Sequence, residues 1–487
     1  MLLISLFIQA FIKLYLILNI YQQAHYQIKP YLKHFINNFV FYDLFIVIVY
    51  IISIYSDKVV SYICYSYIIL YSLIFLFKRK KLKFTKRVIR LIILALIIVC
   101  LYSFCPFYLL FIEFSIIPIF LIDDIISYFC NKKYLIKAKT KLNNYHNKII
   151  GITGSFGKTS TKVLLNQALS CFNKCICSPK SYNTPLGIAK FINDNKINLY
   201  DNLVIEYGVS KISDMDYLLD LCVPDVVFIT EIGYMHIDGF YSIDNIIEEK
   251  MKLALSAKIL VLNYENEYIR NYEIYGDNKI ISYGFNYGLY QGKIIDDYTF
   301  ELYKEDLFIA KIRLPFYGKH QMLNMIGVLA YMIEEGYDIN KLKKAVLGFK
   351  LEKNRLEYKK INNRVIIDDS FNSNYKGFIE ALNMLNNTNG YKILMTPGIV
   401  EVGKYKNELM ENLIAYIIRS SDCVILVGYY QTKVLFDCLI NYNIEVYVAR
   451  NFLEAYNMYM CIAKNYDEST LLIENDLPDI YRIGLIW

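Results

Sequence analysis

The chain has 487 residues, of which 55% are apolar, and carries a formal net charge of +7. That length accommodates about three domains. Eleven cysteines, an odd number without regular spacing, argue against a zinc site, and Cys175 and Cys177 form only a C-x-C. The basic residues cluster at 78–90 and 132–141, each beside an apolar run, which argues for membrane flanking and against nucleic-acid binding.

Residues 1 to about 130 hold five candidate membrane spans, at 2–20, 38–56, 60–77, 91–108 and 109–128. Each is near the roughly 20 residues a helix needs to cross hydrocarbon. The first lacks a basic leader and a cleavage site and is expected to be retained. Between Leu91 and Phe129, Cys105 and Pro106 mark a turn, while Glu113, Asp123 and Asp124 are costly at mid-membrane. The region therefore reads as five spans, or as three plus a re-entrant hairpin. Glu113 faces headgroups or touches a lipid-linked substrate. With both basic clusters inside, the N-terminus lies outside and everything after about residue 131 lies in the cytoplasm. The expectation is a multi-pass protein of the cell membrane with the lipid bilayer as a partner.

Asn147–Ile152 predicts a short strand, Thr153–Thr159 reads TGSFGKT, and Ser160–Cys171 predicts a helix. Strand, glycine loop and helix form the context of a phosphate loop. Gly154 and Gly157 let backbone N–H groups of Ser155 and its neighbours close on phosphate oxygens. The helix start at Lys158, Thr159 and Ser160 adds partial positive charge. Lys158 would reach the outer phosphates of ATP, and the Thr159 hydroxyl would face Mg²⁺.

Further short apolar runs alternate with helical patterns. Leu203–Ile205 ends at Glu206, Asp225–Thr230 precedes His236, and Ile259–Leu262 ends at Asn263. This predicts a mostly parallel sheet whose ligands bind beyond its carboxyl ends. A carboxylate and an imidazole there, Glu206 and His236, are candidate cation ligands. After about residue 346 the pattern repeats: Val365–Ile367 runs into Asp368–Asp369, then come Lys392–Met395, Cys423–Val427, Val446–Ala449 and Leu471–Ile473. This predicts a second α/β unit facing the phosphate loop across a cleft.

From about residue 145 to 480 these stretches, in order and spacing, resemble the Mur ligases, which add amino acids or a dipeptide to the muramoyl peptide of peptidoglycan; the dipeptide-adding type is the closest match. TGSFGKTST (153–161) resembles the family's ATP loop, and SPKSYNTPLG (178–187) the substrate loop that follows. IEYG, with Glu206, resembles the magnesium-binding segment. IGYMH, ending at His236, resembles the segment whose histidine binds a second magnesium. Lys250 falls at a lysine that is often carbamylated, and Asn263 at an adenine-contacting asparagine. GKHQMLN (318–324) resembles the segment that closes the central domain. Arg355 resembles the arginine after the domain junction, and DDSFNSN (368–374), with Asp369 and Asn372, the signature opening the last domain. EVG (401–403) resembles a turn that follows. The departures are Glu231, Met251–Lys252, Gln321, Asn354, Tyr375 and the late segment Glu474–Asp479, and the apolar region that stands where the family has a domain gripping uridine diphosphate.

The resemblance implies an α/β fold. A helical transmembrane region (1–130) precedes a P-loop central ATP-binding domain (131–345) and a Rossmann-like C-terminal domain (346–487). It implies a ligase that uses ATP and Mg²⁺ to join a cell-envelope precursor, possibly lipid-linked, to an amino acid or dipeptide through an acyl phosphate. Lys158, His236, Lys250 and Asp369 would serve the chemistry. Thr159, Glu206 and His236 would hold metal, and Asn263, Arg355 and Asn372 would face the nucleotide. Two other readings stay open: a poly-γ-glutamate type synthase and a P-loop ATPase coupled to a membrane process.

Overall fold

The structure is a computed structural model that describes residues 2–24, 57–77, 82–102, 112–352, 355–370, 375–399 and 406–475, with short pieces between 26 and 55. The chain divides into two compact units, residues 1–132 with 477–487, and residues 133–476.

The first unit contains helices α1 (Leu2–Gln23), α2 (Lys58–Phe77), α3 (Lys86–Tyr102) and the start of α4 (Ile112–Asn143). Among the described residues no helix is long and apolar enough to cross a membrane. The expected transmembrane region, the bilayer partner and the multi-pass membrane location are thereby corrected. Part of the apolar surplus is spent on helix–helix packing, while Ile63, Ile93 and Ile125 stay exposed. Leu6, Ala10, Leu14, Ile17 and Tyr21 share one core with Val88, Leu91, Ala95, Ile116, Ile119 and Phe120. Tyr21 stacks on Phe120 at 3.7 Å. Polar groups are built into that core: Gln9, Lys13 and Asn19 are buried in α1. Asp123, fully buried, accepts from Arg87 Nε at 2.7 Å and Arg90 Nε at 2.6 Å, and Arg87 also pairs with Asp124. A buried carboxylate so paired avoids the several kcal/mol that a lone buried charge costs. The proposed span 38–56 and the turn at Cys105–Pro106 lie largely or wholly outside the described residues.

The second basic cluster also serves packing. It lies on the last turns of α4, where Lys139 pairs with Asp220 and the Lys141 ammonium donates to the carbonyls of Ile192, Asn193 and Asn195. Those carbonyls close helix α6 (Pro185–Asp194), so Lys141 satisfies the acceptors a helix C-terminus leaves open.

The second unit holds a nine-stranded sheet in the order β2-β3-β1-β4-β5-β6-β7-β8-β9. Strands β1 (Lys148–Thr153), β2 (Cys175–Cys177), β3 (Asn202–Glu206), β4 (Val226–Ile229), β5 (Ile259–Asn263) and β6 (Lys279–Gly284) are parallel; β7 (Tyr290–Asp296), β8 (Thr299–Lys304) and β9 (Leu307–Arg313) form an antiparallel meander. Successive residues point to opposite faces, and both faces are covered. Ile150, Ile152, Val204 and Phe228 pack on α5 (Lys158–Ser170) and α9 (Lys319–Glu334). Leu203, Ile205, Val227 and Leu262 pack on α6, α7 (Asp214–Leu221) and α8 (Ile243–Leu255). The meander, absent from the sequence reading, is pinned by one carboxylate. Glu334, in the last turn of α9, accepts from Tyr290 Oη at 2.9 Å and pairs with Lys279 and Lys304 at 2.7 Å each.

After α10 (Ile339–Val346) comes a six-stranded sheet ordered β10-β11-β15-β12-β13-β14. Its strands are β10 (Glu357–Ile361), β11 (Arg364–Asp369), β12 (Tyr391–Thr396), β13 (Cys423–Val427), β14 (Glu445–Ala449) and β15 (Ser469–Glu474). Only β10 runs antiparallel to its neighbour. Helix α11 (Tyr375–Asn386) packs on β15 and α12 (Lys406–Ser420) packs on α11.

Candidate active site

Strand β1 pairs with β3 on one side and β4 on the other: the chain leaves β1 for β2 at the sheet edge, returns through β3, and then passes β1 to form β4 on its far side. The chain thus reverses direction across the sheet at β1, and a crevice opens beyond its carboxyl end. The loop 154–157 fills that crevice. Gly154 has φ +151°, and a Cβ there would stand 2.2 Å from Thr230 Oγ1. Gly157 has φ +79°, and its Cβ would stand 2.8 Å from Asn324 Oδ1. Both positions need glycine for conformation and for space. Thr230 braces the loop from β4, its hydroxyl donating to Thr153 O at 3.2 Å and Phe156 O at 2.5 Å. Ser155 N donates to Glu231 O, and its hydroxyl meets Gly233. Helix α5 then starts at Lys158, aiming its N-terminus at the loop.

Side chains gather on two sides of this loop. On one side the Glu206 carboxylate, at the end of β3, accepts from Thr159 Oγ1, Lys162 Nζ and Asn183 Nδ2, each at 3.0 Å. Burial alone would raise the Glu206 pKa; Lys162 and Lys158 outweigh it and hold it below the ordinary carboxylate value. Lys158 curls over the loop, donating to Gly154 O at 2.7 Å and Ser155 O at 3.0 Å. Burial, opposed by Glu206 and aided by Arg355, lowers its ammonium to about 8. Lys250, buried in α8, donates to the same Gly154 O at 3.2 Å, and burial together with Lys158 pushes it well below its usual value. His236 has a left-handed backbone, φ 54°. Burial, then Lys158 and Lys250, lowers it to about 4. Three basic groups thus crowd one loop that leads into the partly positive start of a helix. That is a pocket prepared for a polyanion.

On the other side a cleft runs between the two sheets' carboxyl ends. Gly157, Ser160 and Asn263 line it from the side of the nine-stranded sheet, and Arg355 and Asp369 from the side of the six-stranded sheet. Asn263 donates to Thr230 O at 2.5 Å and accepts from Glu265 N at 3.1 Å. Asp369, at the end of β11, accepts from Leu356 N at 3.1 Å, which anchors the turn bearing Arg355. Asn372 lies outside the described residues.

Several cleft contacts were invisible in the sequence. Lys162, one helical turn beyond Lys158, stands outside the phosphate-loop motif yet reaches Glu206. Glu231, one of the departures, pairs with Lys376 on α11 at 2.6 Å. His320 meets Glu380, four residues further along α11, through Nδ1, and its Nε2 lies 2.9 Å from Gln321 Nε2. Burial and Arg355 lower His320 to about 4. The carboxylate is tied to this turn by the His320 backbone N–H, which donates to Glu380 Oε1 at 3.1 Å. The spacing of Lys376 and Glu380 places both on one face of α11.

Among the described residues no three His, Cys, Asp or Glu side chains cluster closely enough to hold a metal ion alone. The Thr159 hydroxyl beside the Glu206 carboxylate nevertheless fits one Mg²⁺, which is usually held by one or two protein oxygens with phosphate oxygens and water completing the shell. A second cation at His236 fits less well. Its neighbour Lys250 is an amine, which as an ammonium repels a cation; a carbamate there would reverse that.

Residues 152–332 match the Mur ligase middle domain. The Mur-ligase-like segment is 27% identical, over 296 residues, to the UDP-N-acetylmuramoyl-tripeptide–D-alanyl-D-alanine ligase of Borreliella burgdorferi, covering 58% of this chain and 62% of that protein. It is 29% identical over 260 residues to the UDP-N-acetylmuramate–L-alanine ligase of Prochlorococcus marinus, covering 50% and 51%. The Mur-ligase-like fold also superposes on the MurF ligase of Thermotoga maritima in complex with ADP, with a TM-score of 0.63 at 20% identity, covering 73% of this chain and 82% of that one. The chain spans about three-fifths of the length of the first curated relatives it matches.

Proposed function

We propose that the chain is an ADP-forming, ATP-dependent ligase that joins a carboxylate to an amine on a peptidoglycan-type precursor. The observation that carries this reading is the crowding of Lys158, Lys250 and His236 around a glycine loop at the switch point of the sheet, with a second domain presenting Arg355 and Asp369 across the cleft. The finer reading, addition of a dipeptide such as D-Ala-D-Ala, draws its support from the Borreliella burgdorferi relative and from the DDSFNSN stretch.

A carboxylate does not react with an amine in water until it carries a leaving group. ATP as co-substrate supplies one by passing its γ-phosphoryl group to the carboxylate. The acyl phosphate so formed is attacked by the amine, and phosphate departs as the amide forms. The loop amides and Lys158 hold the phosphates and offset the charge of the transferring group. Glu206 and Thr159 would hold Mg²⁺, which supplies further positive charge to the phosphate oxygens. Asn263 and Arg355 position the nucleotide, and Asp369 orients what lies across the cleft. The two domains exclude water from an intermediate that water would destroy.

Phosphate release from ATP tests this, with UDP-muramoyl tripeptide and related acids against D-Ala-D-Ala and single amino acids. Release should require both an acid and an amine. Lys158→Ala should lower it by about two orders of magnitude or more, as loss of a preorganised charge-stabilising group does. Release indifferent to acid and amine, yet dependent on Lys158, would leave an ATPase in place of a ligase.

A further inference from the structure

Lys162 is 1% exposed and its ammonium contacts two groups: the Glu206 carboxylate at 3.0 Å and the backbone carbonyl of Lys180. Lys180 lies in the segment 178–184, which leaves the carboxyl end of β2 and runs to the start of α6. The same segment returns to Glu206 through Asn183 Nδ2, which donates to the second carboxylate oxygen at 3.0 Å. Asn183 can come that close because residue 208 is glycine: a Cβ there would stand 2.4 Å from the Asn183 side chain. Gly208 N also donates to Asn183 O at 2.9 Å. Lys180 itself is held at φ 48°, a left-handed conformation a lysine avoids unless its surroundings impose it.

A buried lysine–glutamate pair adds little net stability, because desolvation offsets most of the attraction. Its cost is better understood as the cost of geometry. Glu206 is a single node that joins the helix of the phosphate loop, through Thr159 and Lys162, to the segment 178–184, through Asn183 and Lys180. Strands β2, β3 and β1 are neighbours, so this segment stands beside the phosphate loop at the sheet's ligand-binding edge.

We propose that Lys162 is a positioning residue which, with Glu206 and Asn183, clasps segment 178–184 to the phosphate loop, so that a nucleotide on the loop orders that segment. This rests on the nucleotide site proposed above. The experiment is amide hydrogen exchange on the full chain, free and with Mg²⁺ and ADP, alongside ADP affinity by calorimetry. In the natural protein ADP should slow exchange in 178–184. Lys162→Met should speed exchange there by about tenfold and abolish its response to ADP, while ADP affinity measured without Mg²⁺ stays within about threefold. Lys162→Arg, which keeps the charge, should restore part of the response. Gly208→Ala, which displaces Asn183 and spares the ion pair, should release the same segment, and it decides the matter if Lys162→Met does not fold. An unchanged ADP response in Lys162→Met or in Gly208→Ala overturns the clasp. A natural protein that binds no ADP overturns the nucleotide site and the clasp with it, an outcome the calorimetry separates from the first.

Discussion

Single residues in this protein are constrained by what lies beyond them. Gly157 illustrates this, because its positive φ and its 2.8 Å clearance from Asn324 leave no room for a methyl group. Gly157→Ala should cost about 1–2 kcal/mol in backbone conformation alone. It should also push the loop off Asn324 and weaken ADP binding at least tenfold, which titration calorimetry would register. An alanine variant that binds ADP as the natural protein does would mean that the loop is not held in the shape described. Lys158 and Gly157 were legible in the sequence, since their chemistry is written in seven consecutive residues. Lys162 was not, because its meaning depends on Glu206, 44 residues away, and on a carbonyl in a loop between them. Glu231 with Lys376 and His320 with Glu380 were hidden for the same reason: pairs separated by 145 and 60 residues leave no local pattern.

At the scale of elements, the parallel strands were readable because fully buried strands are short apolar runs, as Val226–Ile229 and Cys423–Val427 are. The meander β7–β9 was not, since its strands mix Tyr, Lys, Glu and Asp in half-exposed positions. Besides the apolar core it shares with α9, it is tied to that helix by Glu334, whose pKa is pulled down to about 2, chiefly by hydrogen bonds from Lys279 and Lys304. A carboxylate depressed in the folded state contributes stability above its unfolded pKa and loses it as pH falls through the folded value. Glu334→Gln should therefore destabilise by about 1–3 kcal/mol near neutral pH, as loss of charged hydrogen bonds does. The deficit should shrink steadily between about pH 4.5 and 2. Urea unfolding at several pH values checks this, and a deficit constant with pH would remove the carboxylate from its assigned role. Helices α1 and α3 teach the converse lesson. An apolar run reads the same whether lipid or another helix covers it. Only the partners of Asp123 and the buried Gln9 and Asn19 reveal which surface is met.

For the α/β unit as a whole, what matters is how its two sheets meet. Helix α11 reaches across the cleft with Lys376 to Glu231 and with Glu380 to His320. Lys376 is 70% exposed, so its pair should be worth no more than about 1 kcal/mol and should fade in salt. A double-mutant cycle with Glu231→Gln and Lys376→Met, read by thermal unfolding, should give a coupling of about 0.2–1 kcal/mol at low salt and almost none at 1 M. Coupling that ignores salt would show that the two side chains communicate by something other than charge.

The order of strands in the second sheet has a consequence for how the protein is made. Strand β15 is the last among the described residues, yet it lies between β11 and β12 and pairs with both. A nascent chain that has reached residue 468 therefore carries β10–β11 and β12–β14 as two half-sheets, each with an open edge facing the other. Translation adds about 5–20 residues per second, so this split state lasts only moments before β15 can fill the gap, but it exposes ribbons prone to pairing with other chains. Asp369 gains its neighbour Glu474, and its carbonyl the Asn475 amide, only in that final step. The wall of the cleft that bears Asp369 is thus completed after the phosphate loop has been synthesised and can have folded. A half-made molecule could grip a nucleotide well before it could present it to a partner across the cleft.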